Sequence, residues 1–328
     1  MMSLFMLRYD LRVPSFATTT HGAQYAACLE QCAWADEHDF DAVVLSEHHG
    51  VEDGYLPAPV VLAGAVAGRT RRMRISISAL LLPLHDPVRL AEQLAVLDLV
   101  SAGRTSLVAG LGYRQEEFEM AGVDRRDRGR MLEEYVDVMR RAWTGEPFEW
   151  RGRSITVTPR PATQPHPIIL VGGSTEVAAR RAARLNLPFM PAIRDDALAD
   201  AYRAACQDVG FGGGWVLMPA GPGFLHVSED PERDWERIAP YALYDARTYH
   251  AWQTPGQRSQ TDVDATTLED MKRSDAYRVV TPDECVALAE EAGTLVFHPL
   301  MGGMPPELGW ESMELFAAKV VPRLRPGA

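Results

Sequence analysis

Three consecutive residues, Glu47-His48-His49, place a carboxylate beside two imidazoles just past the apolar run DAVVLS (Asp41–Ser46). Imidazole gains and loses a proton closer to neutral pH than any other ordinary side chain. One of the two histidines therefore reads as a proton acceptor or hydrogen-bond donor in a cleft, within a polar pocket that Glu47, His48 and His49 line together. Metal binding is the competing chemistry. Neighbouring side chains on extended backbone point to opposite faces, so His48 and His49 are poorly placed to chelate one ion. No HExxH stretch occurs either, and no metal is expected. His85 and His298 also follow apolar runs, and imidazoles gathered at strand ends suggest a shared polar pocket, to which His298 is assigned.

A second signal is IILVGGSTEVAA (Ile168–Ala179). Gly172 and Gly173 would let a ligand approach the backbone, and the helix opening after Ser174 and Thr175 would offer N–H groups and a positive dipole end. The stretch lacks the GK[ST] of a Walker loop and the GxGxxG of a dinucleotide site, so a mononucleotide phosphate fits best. A plain helix cap after a tight turn is the other reading. The third signal, Gly110-Leu111-Gly112-Tyr113, suggests close backbone approach with Tyr113 available to stack or hydrogen-bond. By itself it reads better as a simple turn.

The elements needed to present these residues alternate almost from end to end. Strands are expected at Leu4–Arg8, Asp41–Ser46, Arg74–Leu82, Thr105–Leu111, Ile168–Val171, Leu187–Pro191, Trp215–Pro219 and Thr294–Pro299, with helices between them. The helix Met131–Trp143 is the clearest, with Leu132, Tyr135, Val136, Met139 and Trp143 on one stripe. From Gly221 to Ala276 no single period holds, and the stretch reads as an insertion before the last strand. Eight strand–helix units without a composition break imply parallel strands with crossover helices. The expectation is an α/β fold, a (β/α)8 TIM barrel forming one domain over 1–328, with its site at the carboxyl ends of the strands. An open doubly wound sheet is the alternative.

Composition removes several functions. The 328 residues carry 33 Lys+Arg against 45 Asp+Glu, a net charge of −12, which disfavours a general nucleic-acid binder. No window approaches 18 consecutive apolar residues, so no membrane association is expected. The first residues, MMSLFMLRYDLR, lack a basic start leading into a long apolar stretch. Four cysteines are too few for a disulfide framework and read as buried thiols, so a reducing cytoplasm is the expected location.

Taken together, the segments resemble the luciferase-like flavin monooxygenases, the (β/α)8 enzymes related to bacterial luciferase. The resemblance runs through SEHHG (Ser46–Gly50), the long run GRTRRMRISISALLLPLHDPVRLAEQLAVLDLVSAGR (Gly68–Arg104), GLGYRQEEF, GVD, RGRMLEE, WTGEPF and VGGST. TPDE and ESMELFAAKVVPRL follow near the end. These stretches cover nearly the whole chain in the family's order.

The resemblance implies reduced FMN, supplied by a separate flavin reductase, which reacts with O2 to a flavin peroxide that oxygenates a small organic substrate. On the matching motifs, His48 is the catalytic histidine. Ser78-Ala79 falls where the family often has a strained, sometimes cis, peptide under the flavin ring. Leu111, Gly112 and Tyr113 fall where backbone groups meet the flavin, and Arg128 where a phosphate-binding arginine lies. Gly172, Gly173, Ser174 and Thr175 match the phosphate loop. A homodimer is implied as well. One departure stands out: light-emitting α subunits carry a Cys-Arg pair where this chain has Gly110-Leu111, which argues against bioluminescence. Two alternatives stay open, a deazaflavin (coenzyme F-420) enzyme that transfers hydride and a non-catalytic flavin-binding protein.

Overall fold

The computed structural model describes residues 3–326. Strand β1 (Leu4–Tyr9) leads to helix α1 (His21–Glu37), whose first turn is closed by the Thr20 hydroxyl accepting from the Ala23 N–H. Strand β2 (Ala42–Leu45), helix α2 (Pro59–Arg69) and strand β3 (Arg74–Leu81) follow. Helix α3 (Pro87–Ser101) is capped by Asp86 and stops where Ala102 takes the left-handed conformation. Strand β4 (Thr105–Gly110) precedes the short helix α4 (Gln115–Ala121) and the amphipathic α5 (Arg128–Ala142). Strands β5 (Phe148–Trp150) and β6 (Arg153–Ile155) pair antiparallel. Then come β7 (Ile168–Gly173), α6 (Glu176–Arg184), β8 (Phe189–Pro191) and α7 (Asp196–Asp208).

The last third holds β9 (Phe224–Val227), α8 (Pro231–Ala251), α9 (Leu268–Arg273), β10 (Tyr277–Val280), α10 (Pro282–Ala292), β11 (Thr294–Phe297), α11 (Pro306–Lys319) and α12 (Val321–Leu324). Here the structure corrects the sequence reading. The stretch 221–276, expected to lack regular period, contains a buried strand and a 21-residue helix. Its period is hidden because Pro240 sits inside α8, and because Asp234 and Asp245 occupy its buried stripe beside Trp235, Ile238, Ala242, Ala246 and Tyr249. Conversely, the expected strand Trp215–Pro219 does not form; Val216 makes one isolated bridge to Phe189. Three glycines precede it, and Trp215 and Leu217 are exposed, so neither burial nor backbone entropy favours a strand.

The chain divides into two compact units, each discontinuous in sequence. The first comprises Met1–Val44, Val51–Leu56 and Ala220–Ala328, the second Leu45–Gly50 and Pro57–Pro219. In the first, neighbouring strands run β10-β9-β11-β1-β2, with β1 parallel to β11 from Leu4↔Thr294 to Leu7↔Phe297. Phe5, Phe40, Phe297 and Phe316 pack ring on ring at its core. In the second, the order is β3-β4-β7-β8, all parallel, and the β3–β4 register slips between Ser78 and Leu80. Among the described residues nine main strands thus appear where the pattern suggested eight. All four cysteines are free and buried.

Candidate active site

Within the second unit, the residues just past β2 and β4 form one hydrogen-bonded network. His48 is almost fully buried, and its Nδ1 lies 2.7 Å from Glu117 Oε1, on α4. The same oxygen accepts the His49 backbone N–H at 3.0 Å, and Arg114 Nη1 stands 3.5 Å from it. A carboxylate accepts, so Nδ1 carries the proton in neutral His48. That leaves Nε2 to accept from the Tyr113 hydroxyl 3.2 Å away. The Tyr113 ring meets the imidazole edge-on at 5.4 Å between centroids. Glu117 Oε2 is buried without a hydrogen-bond partner, so one face of this carboxylate has unmet acceptor capacity.

Glu47 points into a different set of partners. Its Oε1 accepts from His49 Nε2 at 2.9 Å and from His85 Nε2 at 2.7 Å, and its Oε2 from the Leu81 N–H at 2.6 Å. Burial opposes ionisation of Glu47, yet the His49, His85 and Leu81 donors together hold its carboxyl down at about 2. Hydrogen bonding to Glu47 in turn raises His49 above the ordinary histidine value, against its own partial burial. The His48 ring thus meets Glu117 and Tyr113 while the His49 ring meets Glu47, as the alternation of neighbouring side chains anticipates. The residues that meet are Glu47 and His49, two apart, with His85 arriving from the turn after β3.

The peptide between Ser78 and Ala79, in β3, is cis. A Cβ on Gly110, at the end of β4, would stand 2.7 Å from the Ala79 Cβ. Leu111, Gly112 and Tyr113 follow directly, and Gly112 takes φ +73°, a conformation that favours glycine. Its carbonyl accepts from Arg128 Nη1 at 2.7 Å. Burial and the like charges of Arg125 and Arg181 all lower the Arg128 pKa, so three guanidinium groups share one neighbourhood.

At the end of β7, Gly172 and Gly173 are only partly buried. A Cβ on Gly173 would meet the Ala178 Cβ at 2.4 Å, so only glycine lets the chain pass there into α6. The Thr175 hydroxyl accepts from the Ala178 N–H at 3.3 Å and caps that helix. Thr175 is therefore a helix cap, and Ser174 precedes it in the loop.

His298 is not part of this network. It lies in the first unit, with Nε2 3.4 Å from Asp10 Oδ1. Asp10 is buried, but the positive charges of His298, Arg12 and Arg8 outweigh the desolvation and hold its carboxyl down at about 2. Arg12, fully buried, pairs with Asp53 at 2.7 Å and Asp245 at 3.1 Å. The rings of Tyr244, Trp252, Tyr55 and Tyr249 surround its guanidinium at 4.8–5.8 Å. This cluster, like Glu117, was not singled out in the sequence. Glu117 lies inside the GLGYRQEEF run, in the first turn of α4, and that run alone does not show that its carboxylate meets His48. The Arg12 cluster joins residues more than 230 apart and has no local signature.

A buried histidine held by a carboxylate, glycines at the ends of parallel strands and a capped helix after them thus sit on an α/β fold of parallel strands. Residues 11–295 match the luciferase-like monooxygenases, and the chain belongs to that family. Limonene 1,2-monooxygenase from Rhodococcus erythropolis is 27% identical over 314 residues, 90% of this chain and 80% of that protein. The chain spans about half the length of several other curated relatives it matches. Among solved structures, the monooxygenase RslO1 from Streptomyces bottropensis superposes with a TM-score of 0.79 at 27% identity, covering 98% of this chain and 99% of that one. The oxygenating constituent of 3,6-diketocamphane monooxygenase from Pseudomonas putida, solved with FMN, shares the fold at a TM-score of 0.72 and 19% identity, covering 98% and 99%. Among the described residues no helix is long and apolar enough to cross a membrane.

Proposed function

We propose that the protein is the oxygenase component of a two-component flavin monooxygenase, taking reduced FMN from a separate reductase and acting on a small organic substrate with O2. The observation that carries this reading is His48, fixed through Nδ1 by Glu117 and offered through Nε2 to Tyr113. The residues present fit the cofactor. Gly172 and Gly173 let the backbone run close against Val108 and Ala178 into the α6 N-terminus while staying partly exposed, and Arg128 lies in a cationic neighbourhood with Arg125 and Arg181. In this reading Gly172, Gly173, Ser174, Thr175 and Arg128 hold the phosphate. Ser78, Ala79, Leu111, Gly112 and Tyr113 line the ring.

Bound reduced FMN would supply the electrons that activate O2. His48 Nε2 holds or releases a proton at the reacting centre, and Glu117 keeps the imidazole in the tautomer that leaves Nε2 basic. Tyr113 shares that proton through its hydroxyl. Glu47, His49 and His298 remain proposed as substrate-pocket residues, and a homodimer as the assembly. The test is direct: the purified protein is titrated anaerobically with reduced FMN and with reduced F-420, then exposed to O2. Tight FMN binding with oxygen consumption is expected. Selective binding of F-420 without oxygen consumption would establish the hydride-transfer alternative, and FMN binding without any turnover across candidate substrates the non-catalytic one.

A further inference from the structure

We propose that Glu47, His49 and His85 form a binding site for one divalent transition-metal ion of the zinc type. Their ligand atoms, one carboxylate oxygen and two imidazole nitrogens, all lie within 4.8 Å of one another. Two donors bound to one ion at about 2.0–2.2 Å, on adjacent tetrahedral or octahedral positions, stand about 2.8–3.5 Å apart. Glu47 Oε1 is 2.9 Å from His49 Nε2 and 2.7 Å from His85 Nε2. Both carboxylate–imidazole pairs therefore already have nearly the spacing that a shared ion requires, the two imidazole nitrogens stand within 4.8 Å of each other, and the ion would replace the two ring protons now pointing at one oxygen.

Three further features favour a site over an ordinary polar cluster. The donor set, two imidazoles and one carboxylate, suits zinc, iron, cobalt or nickel better than magnesium or calcium, which prefer oxygen alone. The Leu81 N–H fixes Glu47 Oε2 at 2.6 Å, leaving Oε1 turned toward the imidazoles, an outer-shell hydrogen bond of the kind that orients metal-binding carboxylates. The Glu47 side chain is fully buried, while those of His49 and His85 are 19% and 24% exposed. An ion can enter from the imidazole side and then meet a carboxylate shielded from water. Three protein ligands leave the remaining positions to water or another small donor.

Titration of the protein with Co2+ and Zn2+, in buffer without chelators, tests the site. Saturable binding of one ion per chain is expected, with visible Co2+ absorption bands typical of mixed nitrogen and oxygen ligands. His49→Gln and His85→Gln each keep an N–H able to donate to Glu47 while removing the ring nitrogen, and each should weaken binding about tenfold or more. His250 lies on the surface beside Asp262 and Asp264, a rival location, and His250→Gln should bind like the wild type. Wild-type protein without saturable binding or without the Co2+ bands overturns the proposal even where a variant fails to fold. Unchanged affinity in both site variants, or loss in His250→Gln, overturns it equally. None of these readouts depends on flavin or turnover, so the outcome is separate from that of the oxygenase reading.

Discussion

Glu117 defines the site at the scale of single residues, because one of its oxygens holds both the His48 ring and the His49 peptide N–H. His48→Ala should retain the fold and flavin affinity while turnover falls by about 10²–10⁴, the usual contribution of general acid–base catalysis. Stopped-flow oxidation of the reduced complex, followed by product analysis, would measure this; turnover at the wild-type rate would remove His48 from the mechanism. Glu117→Gln should retain a side chain of the same size but replace a charged acceptor with an amide. We expect a loss of about tenfold to a hundredfold in turnover and a changed pH profile, because the preferred tautomer is no longer enforced. A purely structural Glu117 would lower thermal stability and leave the pH profile unmoved.

The helices and strands set what the sequence could reveal. Elements with a local signature were legible: α5 through its apolar stripe, and β7 into α6 through VGGST. What escaped was structure whose cause lies far along the chain. Helix α8 turns Asp245 inward because Arg12 and Tyr277 meet it there, and neither partner shows in a hydrophobic period. Arg12→Met should accordingly leave two buried carboxylates with fewer partners and destabilise the protein by about 3–5 kcal/mol, read by chemical denaturation. An unchanged midpoint would mean that water reaches the cluster. The end of β7 carries a separate test. If Arg128 offers its charge to the cofactor phosphate, Arg128→Ala should weaken FMN about tenfold to a hundredfold and riboflavin, which lacks a phosphate, much less. Equal weakening of both ligands would refute that role.

For the whole molecule, each compact unit contains a buried carboxyl held down at about 2, Asp10 in the first and Glu47 in the second. In the unfolded chain both return to the usual carboxylate range near pH 4. A depressed folded value means that the unfolded state binds more protons, so stability is fully present above that range and is lost as pH falls toward 2. The melting temperature should decline steeply as pH falls below about 4, with proton uptake on unfolding. Glu47→Gln should make that decline shallower. A melting temperature independent of pH between 4 and 2 would show that neither carboxylate contributes.

The close approach of Gly110 to Ala79 constrains how this chain could diverge. A cysteine at position 110 would drive its first side-chain carbon into the Ala79 methyl group. The order of mutation therefore matters: Gly110→Cys first is expected to be harmful, whereas Ala79→Gly opens the space and makes the same change tolerable. The two positions are epistatic. A lineage descended from this sequence would have to lose a methyl group at one strand before it could gain a thiol at the next.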